Sequence, residues 1–138
     1  MRRSPTISNL VLMWSLIPGV HAQATRTPVA AGVWGGKGIQ ITVTASGATI
    51  EYDCDAGRID ERLQTDASGK FIANGTHAFG RGGPRYDGEP RPKPHAARYE
   101  GQVNGKKMDV TISLPDLGRK VGQFSLELGK RALLDRCG

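Results

Sequence analysis

Cysteine is scarce in this chain: Cys54 and Cys137 are the only two in 138 residues. They lie far apart and form no Cys-x-x-Cys, which excludes a thioredoxin-type redox pair. No Gly-x-Ser-x-Gly elbow, no His-Glu-x-x-His and no phosphate loop of the Gly-x-x-x-x-Gly-Lys-Ser/Thr kind occurs, so the common hydrolase, metalloprotease and nucleotide chemistries have no anchor. Beyond the first 22 residues only His77 and His95 remain as imidazoles. With Asp53 or Asp55 they make the one conceivable ligand set, but their spacing fits no metal motif. They read as surface histidines, and no metal or other cofactor is expected. Asp60 and Glu61 point to opposite faces of an extended segment, poor geometry for shared acid–base work. No stretch carries sustained helical periodicity, and no apolar run reaches the ~20 residues needed to cross a bilayer as a helix. The expectation is a non-catalytic, all-β protein.

The N-terminus has the three parts of an export signal over residues 1–22. Arg2 and Arg3 supply the positive start, Leu10 to Val20 the apolar run, and Val20-His21-Ala22 the small residues before a cut at Gln23. No cysteine follows the run, so a lipid anchor is not expected and the product should be soluble, periplasmic or secreted. The leader holds two arginines and no acid, so its removal lowers the formal charge of +6 by two. In an exported chain that residual basicity points to solubility or weak attraction to anionic envelope polymers rather than to nucleic acid. Two cysteines in an oxidising compartment imply one bridge, Cys54–Cys137.

Residues 23–31 read as a flexible lead, and residues 32–138 as one domain. Ile39, Ile41 and Val43 alternate with polar neighbours, as in a strand with one buried face. A glycine turn at Ala45-Ser46-Gly47 returns the chain over Ala48 to Cys54. Asp55-Ala56-Gly57 predicts a second turn, and a short strand should carry Ile59 and Leu63. Lys70 to Ala73 follows the turn at Asp66 to Gly69, and Gly75 reads as an in-strand glycine facing a crowded neighbour. Arg98 to Val103, the Asn104-Gly105 turn and Lys106 to Leu114 make the clearest hairpin. Val121 to Leu128 adds a strand, and Ala132 to Leu134 a last short one. The inward set is Trp34, Ile39, Ile41, Val43, Ile50, Tyr52, Ile59, Phe71, Met108, Val110, Ile112, Phe124 and Leu126. Seven or eight strands joined by tight turns make an antiparallel up-and-down meander. Closure into a small barrel buries the apolar face and removes both edges; a two-sheet sandwich is the rival. Bulky inward residues on short strands predict a mainly filled interior, with any cavity near one mouth.

Residues 80–95 break the pattern, because Pro84, Pro90, Pro92 and Pro94 with four glycines deny helix or interior strand. Arg81, Arg85, Arg91, Lys93 and Arg98 stand in or beside this loop against Asp87 and Glu89, with Tyr86 and Tyr99 among them. Arginine and tyrosine are enriched at recognition hot spots. Arg81, Arg85, Tyr86, Arg91 and Arg98 are therefore the candidate partner-binding residues; a solvated loop is the alternative.

Gly32-Val33-Trp34, just before the first strand, resembles the Gly-x-Trp opening of lipocalins and avidin-like proteins, the calycin group. The resemblance implies an eight-stranded meander barrel plugged at one end by Trp34, with Arg136 or Arg131 against the ring. It does not extend to the later lipocalin motifs or to a tryptophan array for a bicyclic ligand. Tyr52-Asp53-Cys54 with Cys137 is similar to the disulfide framework of periplasmic lysozyme-inhibitor barrels, without their Ser-Gly-x-x-Tyr segment. The functional expectation is an exported, monomeric, non-catalytic binding domain that holds a small ligand or docks a partner. The alternative is a periplasmic inhibitor acting through the Arg/Pro-rich loop.

Overall fold

The computed structural model describes residues 25–80, 87–88, 93–135 and 137. Its strands, in order, are β1 (Thr27–Pro28), β2 (Gly32–Gly36), β3 (Ile39–Val43), β4 (Ala48–Tyr52), β5 (Ala56–Ile59), β6 (Gln64–Thr65), β7 (Lys70–Ala78), β8 (His95–Asn104), β9 (Lys107–Leu114) and β10 (Arg119–Leu128). Eight of them, β2 to β5 and β7 to β10, form a closed antiparallel barrel in which β10 returns to pair with β2. The barrel expectation therefore holds over the sandwich. β1 and β6 pair separately as a two-stranded sheet.

Alternation is the cause of closure. Ile39, Ile41 and Val43 are buried between half-exposed Gln40 and Thr42, and the same rhythm runs through Met108, Val110, Ile112 and Leu114. Each such face must leave water, at roughly 1.5–3 kcal/mol for a fully buried aliphatic side chain. Every residue of the expected inward set lies in the core or packs against it. Trp34 is fully buried and its indole Nε1 donates to the Ala30 carbonyl at 3.0 Å. Three inward glycines make room for large rings. A methyl on Gly57 would strike the Tyr99 hydroxyl, one on Gly75 would meet the Tyr99 ring at 3.0 Å, and one on Gly101 would overlap Phe71. Gly75 thus has the crowded neighbour its position implied.

Several boundaries differ from the sequence reading, each for a local reason. Ala56 and Gly57 are strand rather than turn; the reversal sits at residues 53–55, where the Tyr52 N–H donates to the Asp55 carbonyl at 3.0 Å. Ile59 and Leu63 do not share a strand. β5 ends at Ile59, and Leu63 leads into β6, which pairs with β1. The stretch expected to be a flexible lead is thereby held at Thr27–Val29: the Val29 N–H donates to the Leu63 carbonyl at 2.9 Å, and Val29 is buried. The strand expected from Arg98 begins at His95. The strand expected at Ala132 to Leu134 is one parallel bridge, Lys37 to Leu133.

Past β10 the chain reverses and runs as a strap up the outside of β2. Gly35 has no side chain to hold it off, since a methyl there would strike the backbone of residues 130–132. Leu133 exchanges hydrogen bonds with Gly36 and Gly38. The Asp135 N–H then donates to Asp53 Oδ1 at 2.7 Å, and Cys137 bonds to Cys54 with their Cα atoms 5.3 Å apart. Arg131, one of two candidates to back Trp34, belongs to this strap. Its backbone passes the outer face of β2, while Trp34 is buried. The other candidate, Arg136, lies outside the described residues.

A candidate binding groove at the disulfide end

One end of the barrel carries the turns from β3 to β4 and from β8 to β9. The other carries the disulfide, and there a row of rings runs across the bore: Phe124 to Tyr52 (centroids 5.9 Å), Tyr52 to His77 (4.9 Å), His77 to Phe79 (5.0 Å) and Phe79 to His95 (5.4 Å). Strand parity produces it. Residues 71, 73, 75 and 77 of β7 face inward in turn, which carries His77 to the mouth. Arg119 lies over Phe79, 5.5 Å from the ring centre, in the geometry of a cation–π contact.

His77 is a core residue, 0% exposed, and not the surface histidine the sequence suggested. Asp55 makes this burial tolerable: its Oδ2 accepts from His77 Nε2 at 2.9 Å, while Oδ1 accepts from the Gly80 N–H at 2.8 Å. His77 Nδ1 and the Tyr52 hydroxyl are buried without a hydrogen-bond partner. Burial, then the neighbouring Tyr99 and Asp55, pushes the Tyr52 phenol far above its ordinary range. Burial likewise pushes the Tyr99 phenol up to about 12, while its hydroxyl donates to the Thr76 carbonyl at 2.8 Å. Both phenols are neutral at physiological pH. Among the described residues no group of three His, Cys, Asp or Glu is placed to hold a metal.

Beside this row the wall is incomplete. β10 pairs with β9 along nearly its whole length but with β2 only at Leu126, Glu127 and Leu128. Beyond Gly36 the chain turns away at Lys37–Gly38, so among the described residues no strand pairs with residues 119–124 of β10 on that side. The gap is a groove of ≈ 660 Å³ between Val121–Ser125 and the turns at Lys37–Gly38 and Asp53–Asp55. Phe124 and Tyr52 form its apolar floor, and Lys37 stands at its rim. Asp53 and Asp55, also on its lining, are already engaged by the Asp135 N–H and by His77 and Gly80. A second depression of ≈ 580 Å³, on the outer wall of β7 to β9, is lined largely by solvated polar groups such as Lys70, Glu100 and Gln102.

Of the residues expected to bind a partner, Arg81, Arg85, Tyr86 and Arg91 lie outside the described residues. Arg98 is on the outer wall of β8, where it pairs with Glu100 at 2.7 Å and does not join the groove. Tyr99, placed with them in sequence, is fully buried in the core. The groove residues Lys37, Val121 and Gln123 were missed. One signal was available: Val121 and Phe124 break the two-residue rhythm around Gly122, where β10 bulges against β9.

Comparison with protein-family models, with curated proteins and with solved structures finds no match. The reading of the groove therefore rests on its own geometry.

Proposed function

We propose that this chain is an exported, non-catalytic binding domain, a lipocalin-like barrel whose guest sits in the lateral groove at the disulfide end. The observation that carries this is the groove itself, an opening of ≈ 660 Å³ floored by Phe124 and Tyr52 where β10 runs past the end of β2. Such a concave, partly apolar site with a few fixed polar groups is the usual form of a binding pocket. The bore is an unsuitable place for a guest, because Trp34, Tyr99, Met108 and Ile112 fill it. The Gly32-Val33-Trp34 opening and the meander support the lipocalin-like reading. The disulfide and the leader-like first 22 residues support export.

The test is native mass spectrometry of the disulfide-intact protein recovered from its own envelope fraction, beside a Phe124→Ala variant of unchanged circular dichroism. The expected result is a guest carried by the wild type and depleted in the variant. A guest retained equally by both, or none on either, would sink this reading.

A further inference from the structure

We infer that the groove is a strand-addition site, in which the open edge of β10 pairs with an extended, acidic peptide segment of a partner. This rests on the groove being the binding site and names the class of its guest. Two hydrogen bonds fix which backbone groups are on offer. The Leu128 N–H donates to the Lys106 carbonyl at the β9 end, whereas the Gly129 N–H donates to the Val33 carbonyl of β2. Successive residues of a strand direct their N–H and C=O to opposite sides. Odd-numbered residues of β10 therefore face β2, back as far as the bulge between Lys120 and Gly122. Gln123 turns its donor and acceptor into the groove, where β2 has already left and no strand among the described residues opposes it. An added strand would continue the line that β2 abandons at Gly36, antiparallel to β10, with one side chain directed onto Phe124 and Tyr52. Main-chain pairing supplies affinity in such complexes and side-chain pockets supply choice.

Charge decides the occupant. Lys37, Arg119 and Lys120 are exposed around this edge, and among the described residues none of them has a carboxylate within ion-pair distance. Asp53 and Asp55 also line the groove, where they accept internal hydrogen bonds, so three exposed cations around this edge stand against two carboxylates. A peptide with acidic residues flanking an apolar one complements that rim. A second copy of the chain does not, because an isologous contact brings the same patch onto itself and sets cations against cations.

The probe is a blocked hexapeptide alternating valine and glutamate, titrated into the ¹⁵N-labelled, disulfide-intact protein. Its valine–lysine counterpart, its N-methylated form and decanoate serve as comparisons. Shifts confined to Lys37, Gly38 and the amides of 119–125, with Gln123 newly protected from exchange, are expected from the glutamate peptide alone. Gln123→Pro removes the edge donor without touching the β9 ladder and should weaken binding about tenfold. Should that variant misfold, the surface double variant Lys37→Glu/Lys120→Glu should lose the glutamate peptide and accept the lysine one. Equal binding of the N-methylated peptide, or no shifts from any peptide, overturns the inference. Decanoate alone shifting the groove amides overturns it too, yet leaves the binding reading standing; silence from every probe removes both. Dimerisation without peptide that Gln123→Pro abolishes would assign the edge to a second copy instead.

Discussion

At the scale of single residues, the interior is set by what is omitted as much as by what is present. Tyr99 and Phe71 occupy space that Gly57, Gly75 and Gly101 leave free. Gly57→Ala should drive the Tyr99 hydroxyl off the Thr76 carbonyl and crowd a filled core. The expected loss is about 1–3 kcal/mol, read as a lower urea midpoint with unchanged circular dichroism; an unchanged midpoint would contradict the packing described. The buried phenols give a pH signature. Burial raises the Tyr99 pKa from 10.0 to about 12, and raises Tyr52 as well. The unfolded chain releases these protons first, so the stability they contribute is intact below the ordinary tyrosine range and is lost as pH rises toward the folded values. Urea midpoints should fall across that alkaline window, and the phenolate absorbance of both groups should appear late. A normal titration of all tyrosines would refute their burial. The alternation of Ile39, Ile41 and Val43 was legible in the sequence, because a strand with one wet face repeats every second residue. The burial of His77 was not, because its partner Asp55 is 22 residues away and meets it only across the β5–β7 pairing.

At the scale of elements, the strap and the edge of β10 have opposite characters. The strap is tied down by Leu133, Asp135 and the disulfide, which joins residues 83 apart in sequence. Cys137→Ala should cost about 4 kcal/mol in the chain-entropy model. Because the strap runs outside a barrel already closed by β10 and β2, the variant should keep its all-β circular dichroism while its urea midpoint falls. Loss of the β signal in the absence of urea would show that closure depends on the bridge. The free half of β10 is the contrasting case, a paired strand on one side and an open ladder on the other. Its bulge and Lys120 fit the ways proteins keep exposed edges from pairing indiscriminately. Neither the tail's path nor that opening was legible beforehand. A strand's pattern reports which face is buried, whereas its second neighbour depends on where another strand stops.

At the scale of the whole molecule, the amino-acid order determined the β class, the turns, most of the inward set and the pairing of Cys54 with Cys137. These follow from local chemistry: two-residue alternation, glycine and asparagine at reversals, and two thiols with only each other to meet. Tertiary structure alone decided that β10 closes on β2 over three residues rather than its full length. It also decided that His77 and Asp55 meet at the mouth, and that β1 and β6 find each other across a gap of more than thirty residues. Stagger between strands is a property of the closed ring, fixed only when every pair has its register, and the groove exists because of that stagger.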